Sequence, residues 1–250
     1  MSLTIENTVA FVTGSNRGIG RSIVQELLNR GVKKVYAAAR NTDGVADFVS
    51  QYADRVVAVK LDVTDPEQVA AAASQAEDVT LFINNAGVLG STDLFGGDLS
   101  AARHEFEVNY WGVLYTTRAF APILKANGGG SLATVSSVAG LSNFPAIPTY
   151  SDSKAAVHSL ISGSRLLLAA QGTKVIGIYP GPVETDIIKD MEMTLPTTSP
   201  ADVAVAIVDG IEAGTEDIFP DAFAQNYAEP YQAGHRALEN RIAAMLQQPA

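Results

Sequence analysis

The sequence predicts an α/β protein with a doubly wound parallel sheet of seven strands and helices on both faces. Three observations carry this prediction. Short β-branched or apolar runs alternate with longer stretches of helical spacing almost from end to end, the signature of βα units. Each helical stretch is long enough to cross over the sheet to a parallel neighbour. Glycine, proline and small polar residues fall between the runs, where connections must lie.

The first strand is expected at 8–13, followed by a helix over 19–29 that Gly31 stops. Strands at 33–39 and 56–61 precede a helix over 66–75, which Thr64-Asp65-Pro66 caps with proline in its first turn. A fourth strand at 79–83 leads to a long helix over 101–125, closed by Asn127-Gly128-Gly129-Gly130. Strands at 131–136 and 174–179 flank a helix over 150–170 that ends at Gly172. Ser199-Pro200 opens a helix over 200–212, and a last short strand is expected at 217–219.

With 47% of its 250 residues hydrophobic and 18% charged, the chain can bury a full core and lies far from the disordered regime. No linker, repeat or charge block divides it, so one domain spanning 1–250 is expected. Seventeen Lys and Arg against 27 Asp and Glu leave a net charge of −10, which offers no broad positive field to nucleic acid or anionic lipid. The lack of cysteine excludes disulfides, thiolate metal sites and cysteine nucleophiles. The amino terminus has no secretory pattern, and the uncharged stretch 126–151 is too rich in Gly, Ser and Pro to span a membrane. A cytoplasmic location with no membrane partner is therefore expected. There is no GxSxG or HExxH string, and His104, His158 and His235 are scattered, so each reads as a surface or packing residue and no metal is expected.

Thr13-Gly14-Ser15-Asn16-Arg17-Gly18-Ile19-Gly20 follows the first strand and opens a helix. Glycines in this place allow a tight turn and close approach to a pyrophosphate, and the amides at the helix start favour negative charge. A dinucleotide is expected on Gly14, Ser15, Asn16, Arg17, Gly18, Ile19 and Gly20; the bland alternative is a loop-forming glycine set. NAD-binding folds place an acidic residue about 20 positions further on, at the ribose hydroxyls. Here Arg40 ends the second strand instead, and its guanidinium suits a 2′-phosphate that Arg17 also reaches. NADP(H) is favoured over NAD, the alternative being that Arg40 is an ordinary exposed arginine. Tyr150 and Lys154, four apart, share a helix face, and Ser137 stands at the carboxyl end of the fifth strand, where open parallel sheets bind ligands.

These strings stand in order with Leu61-Asp62-Val63, NNAG at 84–87, Asn109 in VNYWG, SSVAG around Ser137 and PGPVET at 180–185. In that series the chain resembles the short-chain dehydrogenase/reductase family, in its compact branch of NADP-preferring carbonyl reductases, from about residue 8 to 213. The resemblance implies a Rossmann sheet. It also implies that Tyr150 is the general acid in carbonyl reduction and the base in alcohol oxidation. Lys154, with an oxidised nicotinamide, would lower the phenol from its usual value of roughly 10 and hold the nicotinamide ribose. Ser137 would donate to the substrate oxygen, and Asn109 would hold a water linking Lys154 to solvent. Asp62 and Val63 would contact the adenine, while Asn85, Ala86 and Gly87 would line the adenosine ribose; for Asn84 and Asn85 a purely structural role stands beside this. Pro180, Gly181, Val183 and Thr185 would shape the nicotinamide pocket.

Three features depart from the family pattern. The substrate loop 186–199 is short, so the pocket is expected to be open. Ile187, Ile188, Met191, Met193 and Leu195 line it or form a short amphipathic helix packed on the body. Lys125 is the lone base within 121–131, which with the net charge argues against an acidic carrier protein and for a free ketone or aldehyde. A helical, fairly polar tail over 222–248 replaces the short glycine-rich ending of tetrameric relatives. A homodimer or homotetramer is expected, using the long helices around Tyr110 and Leu160 unless those faces are ordinary core. The rival readings are a non-catalytic NADP(H) sensor or scaffold and a 3-oxoacyl-(carrier protein) reductase. Chain length and glycine spacing disfavour a sugar-nucleotide epimerase.

Overall fold

The computed structural model describes residues 3–90, 92–186 and 195–236. Its strands are β1 (Val9–Thr13), β2 (Lys34–Ala39), β3 (Val56–Lys60), β4 (Leu81–Asn84), β5 (Ser131–Val135), β6 (Lys174–Ile178) and β7 (Asp217–Ile218). They form one sheet in the order β3-β2-β1-β4-β5-β6-β7, and every pairing is parallel. Each expected strand is present with its ends shifted by two residues at most.

The helices are α1 (Gly18–Asn29), α2 (Ala46–Gln51), α3 (Pro66–Gln75), α4 (Ser100–Phe106), α5 (Gly112–Ala126), α6 (Pro148–Leu168), α7 (Pro200–Ala213), α8 (Ala222–Gln225) and α9 (Ala228–Tyr231). Asp65 caps α3 by accepting from the Glu67 and Gln68 amides, and Ser199 caps α7 by accepting from Asp202, each with proline in the first turn. The long helix expected over 101–125 is instead α4 and α5 joined by a wide π-type turn, Glu107–Trp111. Such turns insert a residue into the helical ladder and re-aim the side chains around it. Asn109 lies within this one. The short α2 has no counterpart in the sequence reading because it buries Phe48 alone and shows no periodicity.

Alternation along the strands divides the core in two. Ala10, Val12, Val35, Ala37, Ile83 and Ile176 pack against α1 and α7 on one face, where Ile23, Leu27, Ile207 and Ile211 are buried. Phe11, Ala38, Val59, Phe82 and Leu132 face α3, α5 and α6 on the other. There Phe120 of α5 stacks on Phe82 at 4.1 Å between ring centroids and tilts onto Phe11 at 4.7 Å. Because chain progression reverses between β1 and β4, a crevice opens at their carboxyl ends.

The described part of the tail is not one helix. It folds as α8, α9 and a π-type turn at Gln232–Arg236, and it docks rather than projects. Tyr231 is buried against Tyr179 and Phe219, with centroids 5.5 and 5.7 Å apart. Arg165 of α6 pairs with the buried Asp217 at the same place. Residues 237–248 of the expected tail, and Ile187, Ile188, Met191 and Met193, lie outside the described residues. Among the described residues no helix is long and apolar enough to cross a membrane.

Phe120→Ala removes the ring that joins the two stacked phenylalanines and is expected to cost about 3–5 kcal/mol in denaturant unfolding. A loss below about 1 kcal/mol would contradict this packing.

Candidate active site

The crevice is built around the end of β1. There the chain turns at Gly14, whose φ is +66°, and a Cβ at that position would lie 2.9 Å from the Ala86 Cα. Only glycine makes this turn so close to the chain beyond β4. The Thr13 hydroxyl accepts from the Asn85 and Ala86 amides at 2.9 and 3.0 Å. Asn85 in return donates its side-chain amide to the carbonyls of Thr13 and Gly14 at 2.9 and 3.2 Å. Asn84 is buried and braces α5 through Thr116 and Thr117.

At the nucleotide end Arg40 is exposed just past β2, and Arg17 precedes α1. Arg17 pairs with Asp186 at 3.1 Å, but both side chains are more than half exposed, so the pair is weak and yields readily to a phosphate. Asp62 accepts from the amide and hydroxyl of Thr64 at 3.0 and 2.7 Å, shaping the turn after β3.

At the other end Ser137 follows β5. Its hydroxyl accepts from the Ala139 amide at 3.1 Å and donates to the Pro180 carbonyl at 3.4 Å. The first turns of α6 carry Tyr150, partly buried, and Lys154, buried, with the Lys154 ammonium 5.7 Å from the centre of the phenol ring. Lys154 donates to the Val135 carbonyl at 3.1 Å. The π-type turn aims Asn109 inward, where it donates to the Val88 carbonyl and the Ser153 hydroxyl and accepts from the Val88 amide. Gly87 marks the convergence: a Cβ there would meet the Asn109 Oδ1 at 3.3 Å and the Lys154 Nζ at 3.5 Å.

One cleft of about 470 Å³ joins the two ends. Gly14, Asn16, Arg17, Gly18, Ile19, Gly20, Arg40, Asp62, Val63, Asn85, Ala86 and Gly87 line it on the nucleotide side. Ser137, Tyr150, Lys154, Pro180, Gly181, Val183 and Thr185 line the rest. Ser15 and Asn109 stand behind its wall. The Ser15 hydroxyl donates to the Val12 carbonyl at 2.6 Å and its amide to Ala38, so this residue fixes the loop from inside the fold.

Several residues escaped the sequence reading. Val88, Leu89, Phe144, Ile147 and Phe223 give the Tyr150 end apolar walls, joined by Leu195 of the substrate loop. That loop is anchored by hydrogen bonds between Glu184 and Thr198 and between Thr198 and Pro182. Asp221 accepts from the Gly181 amide and caps α8 through Ala224, both at 2.8 Å. An aspartate ahead of Ala222-Phe223-Ala224-Gln225 is a readable cap; the docking of Phe223 into the cleft is a tertiary event with no local signal.

Burial pushes the Tyr150 phenol up to about 12; a hydrogen bond with Ser137 opposes the rise and the negative charge of Glu105 adds to it. Burial likewise pushes Lys154 down to about 8. In the protein alone desolvation is the larger effect on the phenol and the Ser137 hydrogen bond opposes it; the expected lowering by Lys154 together with an oxidised nicotinamide belongs to the cofactor-bound state. Tyr150 is thus protonated throughout the neutral range, as a proton donor must be.

A glycine turn at the switch point of a parallel sheet, with serine, tyrosine and lysine at the far end of the same cleft, defines a nucleotide-dependent oxidoreductase fold. Residues 8–195 match the model of the short chain dehydrogenase family, and the chain belongs to that family. It is similar to a short chain dehydrogenase of Burkholderia cenocepacia whose structure was solved in complex with NADP. The identity is 39%, with a TM-score of 0.85 over 99% of this chain and 100% of that one. A short-chain dehydrogenase of Streptomyces avermitilis is 26% identical, with a TM-score of 0.81 over 96% and 98% of the two chains. An uncharacterized oxidoreductase of Staphylococcus saprophyticus is 32% identical over 82% of this chain and 91% of its own.

Gly14→Ala forces a side chain into the Ala86 backbone at a left-handed position. Calorimetric titration is expected to show dinucleotide affinity reduced about tenfold or more, and unchanged affinity would remove the turn from the binding site.

Proposed function

We propose that the protein uses NADPH to reduce the carbonyl of a free ketone or aldehyde to an alcohol, and catalyses the reverse oxidation. The observation that carries this reading is the continuity of the cleft, with two guanidinium groups at one end and Ser137, Tyr150 and Lys154 at the other. The residues present fit the cofactor: the glycine turn offers a floor without side chains for the pyrophosphate, and Arg17 and Arg40 match a ribose 2′-phosphate. The NADP complex of the Burkholderia relative supports the same cofactor.

When bound, the reduced nicotinamide supplies the hydride. Tyr150 gives its phenolic proton to the substrate oxygen, and the Ser137 hydroxyl binds that oxygen and orients it. The charge of Lys154 stabilises the phenolate left behind. Asn109 holds Val88 against the cleft and would keep the water that returns a proton to Lys154. Val88, Leu89, Val138, Phe144, Ile147 and Phe223 are all apolar, which favours an uncharged carbonyl compound as substrate. Lys125 alone in 121–131 gives an acidic carrier protein little to grip. Exposed Trp111 beside α5 and Leu167 on α6 support self-association as a homodimer or homotetramer.

Tyr150→Phe removes the donor and little else, so kcat is expected to fall about 10²–10⁴-fold, with NADPH binding preserved; retained turnover would refute the acid. Arg40→Ser is expected to weaken NADPH about tenfold more than NADH, and equal losses would remove the phosphate contact. Lys154 is charged below about 8 and neutral above it. The kcat/KM for reduction should therefore decline as pH rises through that value, and a profile flat into the alkaline range would deny Lys154 this role.

A further inference from the structure

Glu105, near the end of α4, is completely buried. The reaction outlined above makes no use of it. A buried carboxylate is costly unless its oxygens are satisfied, and here both are. One accepts from the Gly90 amide at 2.7 Å, the other from the Thr149 hydroxyl at 2.6 Å. Hydrogen bonds this short to an ionised acceptor are the strong ones.

The partners matter more than the distances. Gly90 follows Gly87, Val88 and Leu89, the stretch that forms one wall of the cleft. Thr149 is the residue immediately before Tyr150. Four residues beyond Glu105, Asn109 makes the same kind of link, joining Val88 of that wall to Ser153 of α6. Thr149 and Ser153 are likewise four apart, and they bracket Tyr150. Glu105 and Asn109 are thus two rungs between the cleft wall and the helix turn that presents the phenol.

We propose that Glu105 is a positioning residue for Tyr150, holding the first turn of α6 against the Val88–Leu89 wall through Thr149 and Gly90. The inference rests on Tyr150 being the acid of the reaction. The carboxylate also acts by its field. Besides burial, two groups act on the phenol, Ser137 from the end of β5 and the charge of Glu105 from α4, and the Lys154 ammonium of α6 lies 5.7 Å from the centre of its ring. Burial is the largest influence, the Ser137 hydrogen bond opposes it, and the Glu105 charge reinforces it by disfavouring the phenolate. Removing that charge makes Tyr150 easier to ionise. Alcohol oxidation, which needs the phenolate as base, would then gain its alkaline activity at lower pH.

The test compares Thr149→Val, Thr149→Ser and Glu105→Gln with the wild type for thermal midpoint, NADPH affinity, kcat, KM and the pH profile of alcohol oxidation. Thr149→Val is expected to lower kcat about tenfold or more with NADPH affinity held within about twofold. Thr149→Ser, which keeps the hydroxyl, should restore most of kcat. Glu105→Gln should move the alkaline rise of oxidation to lower pH. If Thr149→Val and Glu105→Gln keep the wild-type kcat and pH profile, whether or not the thermal midpoint falls, Glu105 is merely structural and the proposal is overturned. A wild type that binds NADPH yet turns over no carbonyl or alcohol overturns both this proposal and the reading of function beneath it, so the two failures are told apart.

Discussion

The joint between β1 and β4 is the constraint on which the cleft depends. At a switch point neighbouring strands send their chains to opposite sides, and the backbone groups at their ends lose the partners that a continuing ladder would give them. Thr13 and Asn85 make good that loss reciprocally: one hydroxyl accepts from two amides, and one side-chain amide donates to two carbonyls. The exchange pins the glycine turn at Gly14 to the chain beyond β4. It keeps the crevice open without filling it, since Thr13 and Asn85 line the cleft yet spend their side-chain polar groups on the backbone at its edge. Ser15, turned inward onto Val12, completes the loop from behind.

From that joint the cleft runs between two electrostatic regimes. Arg17 and Arg40 stand in water, where their charges are screened but remain available to a phosphate. Tyr150 and Lys154 are desolvated, and burial moves both toward their neutral forms. The protein therefore holds a phenol that keeps its proton beside an ammonium that gives up its own more readily than usual. The α4–α5 rod makes this pairing durable. Its π-type turn brings Asn109 to bear on Val88, and Glu105 reaches Gly90 and Thr149 one step earlier, so the wall and the acid are held by side chains that are themselves buried and fully bonded.

Much of this was legible in the sequence, for reasons that differ by element. The strands could be read because a parallel sheet covered on both faces needs continuous apolar runs. The α3 and α7 starts could be read because Asp65-Pro66 and Ser199-Pro200 state their caps locally. The strings at 13–20, 84–87, 150–154 and 180–185 fall on the carboxyl edge, and the structure gathers most of their residues, Tyr150 and Lys154 among them, around one cleft. What escaped was tertiary. The π-type turn arises where helix geometry yields to the demand that Asn109 face inward, and a run such as Glu107-Val108-Asn109-Tyr110-Trp111 shows no break in helical pattern. The tail reads as polar and helical, yet Tyr231 and Phe223 commit it to the body. Glu105 looks like one more charge on an exposed helix until Thr149 is placed opposite it. The phenol's rise went unforeseen because spacing shows which charges are near and not how much water has been removed.

In the proposed reaction one cleft carries a hydride from a nicotinamide to a carbonyl while Tyr150 supplies the proton. The most direct measurement is reduction of an apolar ketone with NADPH deuterated at the transferring position of the nicotinamide, with mass spectrometry of the alcohol formed. One deuterium is expected on the carbinol carbon and none in the solvent. Tight NADPH binding with no labelled alcohol from any of a panel of aldehydes, aryl ketones and 3-oxo esters would contradict it, and would leave a nucleotide-binding protein without this chemistry.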